Sequence, residues 1–418
     1  PNLLFAGTEF GAFFSPDGGN RWIEFKGLPT IAVRDLAIQR RENDLVFGTF
    51  GRGFWVLDDY SNLRGLKAET LQQPATLFPV KPTRMFVERE PLGLRGKGFL
   101  GETLYTAANP PAGAVFTYHL KEDLKTRQKA RWEAEAQIEG EGGNVSYPSW
   151  DELRAEDRES DPVILLTITD QEGNVVRRLT GPTTAGFHRV SWDLRFPAFV
   201  PPSEGGSGED LFDEPDRGPM AAPGTYRVSL AQRVGGKLTP LGEPQTFQAT
   251  PLGLSSLPAT DMPAVNTFQQ KTGRLQRAIV GALELVDETS ARLDAIQKAL
   301  VVTPRADDRL SDEADALERR LQDIDVALSG DTTLARRNEG TPPSIFGRIN
   351  NVVEGQWNTT MAPTQTHQDA YRLAAEAFTP VLAELTRLVE TDLKALEDKM
   401  EAAGAPWTPG RVPTWQPE

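Results

Sequence analysis

The sequence predicts a multidomain chain: β-propeller blades (all-β, and incomplete), then an immunoglobulin-like or fibronectin-like β-sandwich, then a C-terminal antiparallel α-helical bundle. Three observations predict it. Short, evenly spaced strand-like runs with Gly turns fill residues 1–62. Further alternating runs recur over residues 101–250. From 262 to 404 apolar residues return at steps of three, four or seven, the period of amphipathic helices.

In the first region LLFAGTEFGAFF and WIEF flank the segment SPDGGNRW, Ser15 to Trp22. A Ser hydroxyl and an Asp carboxylate can both bond nearby backbone groups, and Gly supplies positive φ where the chain reverses, so this segment is expected to be a tight hairpin. The Trp leads the outgoing strand and is expected to pack its ring under the turn. VRDLAI alternates, with Val33, Leu36 and Ile38 on one face, and DLVFGTF and GFWVLDD are two more strands joined at Gly51-Arg52-Gly53. A blade takes about 40–45 residues and a propeller about 4–8 blades. Residues 1–62 thus hold little more than one blade, and the missing blades are expected from upstream sequence or from a partner chain.

Residues 63–100, broken by Pro74, Pro79, Pro82 and Pro91, form an extended connector in which ATLFPVKPTRMF lies against a neighbour. In 101–250 the candidate strands are GETLYTA, AVFTYHL, PVILLTITD, VVRRLTG, FHRVSWDL, GTYRVSLAQRV and PQTFQAT, with Gly173-Asn174 in a hairpin turn. Two insertions interrupt them: a charged, partly helical stretch from Lys121 to Glu139, and a Gly/Pro-rich acidic stretch from Pro201 to Pro219. The helical region reads as a first helix over about 263–302, carrying Phe268, Leu275, Ile279, Leu283, Val286, Leu293, Ile296 and Leu300. A second covers about 306–329 and is ended by Gly330. A short one is capped by Ser344, and a last covers about 365–403, kinked at Pro380. In the tail, 405–418, Trp407 and Trp415 are expected to dock on a neighbouring surface, since two free indoles are costly to hydrate.

The pattern S-x-D-x-G-x-x-W, met at Ser15, Asp17, Gly19 and Trp22, resembles the Asp-box or BNR repeat of β-propellers in sialidases, sortilin-type receptors and xyloglucan-cleaving hydrolases. GTEFG, the hairpin, GLP followed by VRDLAI, and GTFGRGFWVLDD together resemble the last blades of the sortilin-like BNR-repeat proteins of bacteria, a family often labelled glycosyl hydrolase. GNVVRRLTG, GFHRVSWDLR and APGTYRVSL are similar to the Ig-like modules that follow such propellers. PPSIFGRIN and the long helix after it resemble the same family's C-terminal region. The resemblance implies an extracellular, cell-surface or periplasmic protein, its export signal outside this chain. It also implies that Ser15, Asp17, Gly19 and Trp22 are a structural staple away from any active face. The function expected is non-catalytic binding or scaffolding, with a protein or carbohydrate ligand. Alternatives are a glycoside hydrolase whose acids lie on blades missing here, and a subunit of a larger assembly completed by a partner chain.

Composition narrows the classes. The net charge of −14 and pI near 4.9 argue against nucleic acid and anionic membranes as partners. The absence of cysteine removes disulfides and thiolate metal sites. No apolar run is long enough to cross a bilayer. His119, His188 and His367 lack metal-ligand spacing, and the glycines at Gly48, Gly51 and Gly53 read as strand turns. A glycosidase needs two carboxylates about 5–10 Å apart. The candidates are Glu9, Asp35, Asp44, Asp58 and Asp59, with Asp35 expected to pair with Arg34. No other cofactor is expected, but the acidic loop with Glu204, Glu209, Asp210, Asp213, Glu214 and Asp216 offers carboxylates to a hard cation such as Ca²⁺, foremost Glu209, Asp210, Asp213 and Asp216. Phe10, Phe13, Phe14, Phe50, Phe54 and Trp55 are candidates for a sugar-binding face, most of them accounted for by blade packing. Phe54 and Trp55, being adjacent, point to opposite faces.

Overall fold

The computed structural model describes residues 2–88, 107–200, 217–254, 257, 259–415 and 417. The chain is mixed, with several β-sheets followed by a C-terminal helical region. It divides into two compact units: Pro1–Glu88 with Lys97–Arg195 and Pro223–Leu252, and Arg89–Gly96 with Phe196–Ala222 and Gly253–Glu418. The expected strand GETLYTA falls almost wholly outside the described residues, as does most of the acidic insertion.

In the first unit, β1 (Leu4–Thr8), β2 (Gly11–Ser15) and β3 (Ile23–Glu24) form one antiparallel sheet. A second is formed by β4 (Val33–Gln39), β5 (Asp44–Thr49) and β6 (Phe54–Leu57). Aromatic rings join the two. Phe25 lies 4.9 Å from Phe14, 5.5 Å from Phe47 and 6.2 Å from Phe5, and Phe5 meets Tyr60 edge-on at 5.2 Å. Alternation explains which rings turn inward. Leu45 and Phe47 are buried on the face they share with their cross-strand partners Leu57 and Trp55, whereas Phe54, opposite Gly48, stands on the other face. A 3-10 turn at Tyr60–Gly65 is capped by Asp59, and the short α1 (Ala68–Gln72) follows.

Next come β7 (Ala75–Leu77) and β8 (Thr83–Met85), which the proline-rich stretch contributes to two further sheets. The remaining elements of the unit are β9 (Ala114–Leu120), α2 (Arg127–Gly140), α3 (Trp150–Asp157), β10 (Val163–Thr169), β11 (Val175–Gly181), β12 (Gly186–Trp192), β13 (Gly224–Val234) and β14 (Lys237–Pro251). One sheet has the order β11-β10-β13-β14-β8 and the other β12-β9-β7; among the described residues only the β14–β8 pairing is parallel. Their facing sides meet through Phe116 and Trp192 on one sheet and Tyr226 and Phe247 on the other, at centroid distances of 5.1 to 6.3 Å. Trp192 is fully buried, and its indole N–H donates to Arg195 O at 2.8 Å, so the largest core side chain leaves no polar atom unpaired. The charged insertion is helical at α2 and α3. Neither helix buries a residue, and Arg131 ties them by a bidentate bond to Glu156, both contacts 2.7 Å.

The second unit holds α4 (Met262–Val301), α5 (Asp308–Ser329), α6 (Thr332–Ala335), α7 (Ile345–Trp357), α8 (Gln365–Arg387), a π-helical stretch at Leu388–Leu393, and α9 (Lys394–Ala402). The apolar stripes of α4, α5, α7 and α8 converge on one core that includes Ile279, Leu293, Leu321, Ile349 and Leu385. Gly330, at φ 106°, stops α5, and Ser344 caps α7 by accepting from Gly347 N–H. Pro380 does not interrupt α8. The irregular turn comes later, at Leu388–Leu393.

The tail corrects an expectation. Trp415 is 83% and Trp407 59% exposed, so neither indole is the anchor. Thr408 and the Arg411 side chain are buried instead, and Arg411 donates to Pro406 O at 2.9 Å. The Trp407 indole N–H bonds Arg411 O at 2.9 Å, which closes the turn while its ring stays in solvent.

Candidate functional site

The hairpin at Ser15–Trp22 is held from its first residue. Ser15 is fully buried. Its hydroxyl donates to Asp17 Oδ1 and accepts from Gly19 N–H, both at 2.8 Å. Asp17 Oδ1 also accepts from Arg21 N–H at 2.9 Å. The Arg21 amide first, and then the Ser15 hydroxyl, hold the Asp17 carboxyl below its ordinary range. Gly18 and Gly19 take φ of 76° and 102°, and Gly18 N–H bonds Asn2 O at 2.7 Å, tying the turn to the start of the chain. Trp22 differs from expectation: it is 45% exposed and is not a buried ring under the turn. Among the described residues, each hydrogen bond that Asp17 accepts lies within this turn.

The opposite end of these two sheets is where side chains reach solvent. The β1–β2 turn carries Glu9 and Phe10, β4 begins with Val33 and Arg34, and the β5–β6 turn carries Phe50 to Gly53. Gly51 and Gly53, at φ 75° and 69°, make that last turn possible. Arg34 joins the three. Its guanidinium donates to Glu9 Oε1 at 2.8 Å and lies 5.7 Å from the centre of the Phe50 ring. Asp35, expected to pair with Arg34, instead accepts from Leu36 N–H at 2.8 Å. Around this rim Phe10 is 74%, Phe50 69% and Phe54 82% exposed. Of the six aromatic candidates only Phe14 is buried. Trp55 is 39% exposed, and Val56 and Ile38 are also open to solvent. Among the described residues β6 pairs only with β5, so its outer edge presents unpaired backbone groups. The rim therefore offers flat aromatic faces, a guanidinium and an open strand edge, a set suited to contact.

The carboxylate candidates are split between the two ends. Asp35 sits near the start of β4 and Asp44 faces its last residue, Gln39, so the two are roughly 13 Å apart along the strand. Asp44 and Asp58 do come together, since Leu45 pairs with Leu57 and these acids flank that pair. Burial first, and then the Asp44 charge, push the Asp58 carboxyl up, against the opposing pull of Arg189 and Lys81. Asp44 accepts from Asp59 N–H at 3.0 Å and Asp59 from Ser61 N–H at 3.1 Å, so both serve the backbone.

The histidines do not meet as ligands. His119 and His188 lie on paired strands but on opposite faces, His119 against Phe187 and His188 against Tyr118. Burial, and to a lesser degree His188, lowers the His119 pKa. The His367 ring lies 3.0 Å from the Gln356 amide. No group of three or more metal-ligating side chains occurs among the described residues. The Ca²⁺ candidates Glu209, Asp210, Asp213 and Asp216 lie outside them, as do Glu204 and Glu214. No helix among the described residues is long and apolar enough to cross a membrane.

No family model and no curated protein sequence matches the chain. Among solved structures it is similar to PorZ, described as an essential bacterial surface component of the type-IX secretion system of Porphyromonas gingivalis, at 15% identity and a TM-score of 0.15. That alignment covers 59% of this chain, which spans 21% of the length of the other. Sequence reasoning named Arg34 only as the partner of Asp35; what it missed is that Arg34 binds Glu9 and lies beside Phe50, 25 and 16 residues away in sequence.

Proposed function

We propose that this chain is part of a non-catalytic binding or scaffold protein of the cell exterior, with β1–β6 as Asp-box propeller blades, the facing sheets as an Ig-like module and the helices as a bundle. The observation that carries it is the rim where Phe10, Phe50 and Phe54 stand in solvent beside the open edge of β6. Exposed aromatic clusters of this kind mark contact sites, and an unpaired edge takes up a β-strand by backbone hydrogen bonding. The strand is supplied by further blades or by a partner chain. The hairpin staple supports the propeller reading, because Ser15 and Asp17 spend their hydrogen bonds on the turn. The exterior location rests on the sequence resemblance. The experiment compares the chain with a Phe10→Ala/Phe50→Ala/Phe54→Ala variant for binding to a glycan array and to surface proteins from the same cells. Loss of binding with an unchanged melt is expected. Equal binding by the variant, or aryl-glycoside turnover lost in Asp58→Asn, would overturn the proposal.

A further inference from the structure

The helical unit contains a cleft of about 730 Å³ between the first turns of α4 and α8. The two helix starts are tied side by side by a bond from Ala259 N–H to Thr360 O, 3.1 Å. Asp261 caps α4 by accepting from Ala264 N–H, and Thr364 caps α8 by accepting from His367 N–H. Val265 and Phe268 are buried at the floor, where Tyr371 meets Phe268 edge-on at 5.8 Å. Lys271, one turn beyond Phe268, stands over both rings. Its ammonium is 5.0 Å from the Phe268 centroid and 4.5 Å from that of Tyr371.

Lys271 differs from the other charged groups of the lining. Asp261 is spent on its cap. Arg372 binds Glu376 through two contacts of 3.1 Å and lies 3.8 Å from Asp369, which also accepts from Gln365. Among the described residues Lys271 has no carboxylate partner and no hydrogen bond, although acids outnumber bases in this chain, 59 to 45. The two rings attract its charge but accept none of its N–H donors in the ordinary way. A half-buried ammonium held in place by aromatic faces, with its donors unspent, is set to receive an anion.

We infer that this cleft binds a small monocarboxylate with an apolar or aromatic body, the carboxylate on Lys271 and the body over Phe268, Tyr371 and Val265. The volume is that of a small-ligand site, roughly 300–1,000 Å³. The charge count selects a monoanion. Asp261, Asp369 and Glu376 line the same cleft, so a second negative charge on the ligand would meet them without a free cation to offset it.

The test titrates the full chain with benzoate, 4-phenylbutyrate, octanoate and indole-3-acetate by calorimetry and ligand-observed NMR. The uncharged amide of each is run beside it. At least one acid is expected to bind saturably, with its amide weaker by about tenfold or more, since charge-assisted hydrogen bonds are about twice as strong as neutral ones. Lys271→Met, which keeps an apolar stem over the rings, should lose the acid's advantage, while Lys271→Arg and the remote Lys399→Met retain binding. Thermal melts establish that the variants are folded. If none of the acids saturates, if acid and amide bind alike, or if folded Lys271→Met binds as the parent does, the inference is overturned.

Discussion

Removing Phe54 and removing Phe47 should have opposite consequences, although both are phenylalanines of adjacent strands in one small sheet. A fully covered aromatic side chain buries roughly 150–250 Å². Phe54 is 82% exposed, so less than a fifth of that area is covered, and at about 25 cal/mol per Å² Phe54→Ala costs about 1 kcal/mol at most. Phe47 is 2% exposed and meets Phe25 edge-on at 5.5 Å in the cluster with Leu45 and Tyr60. Its loss leaves a cavity and costs about 3–5 kcal/mol. The assay is amide hydrogen exchange over β5, read by mass spectrometry, which reports this sheet without requiring the whole chain to unfold in one step. At about 1.4 kcal/mol per tenfold, Phe54→Ala should change protection by less than about tenfold and Phe47→Ala by about a hundredfold or more. If Phe54→Ala strips protection as Phe47→Ala does, Phe54 belongs to the core, and the rim is not a surface held open for contact.

Other expectations concern the staple, the paired acids and the bundle. Ser15→Ala removes a fully buried hydroxyl with two 2.8 Å bonds and leaves Gly19 N–H unpaired, a loss of about 1–3 kcal/mol that local exchange over β2 should detect; unchanged exchange would dismiss the staple. The Asp17 carboxyl is depressed in the fold, so its stabilisation is complete above its ordinary pKa of 3.8 and is lost as pH falls through the lower folded value. Acid titration of Asp17→Asn should therefore show a shallower decline than the parent. Asp58 runs the other way. With its pKa raised, the fold is favoured most below 3.8 and loses stability as pH rises through the folded value, so Asp58→Asn should gain on the parent between acid and neutral pH, and equal melts at both ends would refute the upward shift. In the helical unit a Cβ on Gly273 would stand 2.1 Å from the Phe199 ring, so Gly273→Ala should cost about 1–3 kcal/mol in thermal melts, and a neutral result would mean that Phe199 does not rest on α4.

The sequence by itself determined what depends on near neighbours. The stripe of Phe268, Ile279, Val286, Leu293 and Leu300 marked α4, Gly330 marked the end of α5, and Ser344 marked the start of α7, because a helix's period and its caps are set within a few residues. Ser15, Asp17 and Gly19 marked their turn for the same reason: the bonds made by the Ser15 and Asp17 side chains span at most four residues. Tertiary structure decided what depends on distant cover. Phe14 and Phe50 are the same residue type in similar runs, yet one is roofed by Phe25 and the other reaches solvent beside Arg34. The proline-broken stretch supplies β7 and β8 because β9 and β14 offer edges from far along the chain. Trp407 and Trp415 stay out while Thr408 and Arg411 go in, since only the shape of the surface they meet decides which side chain fits. Lys271 carries no local sign of its position; two rings, three and one hundred residues away in sequence, hold its charge, and only folding brings the farther one there.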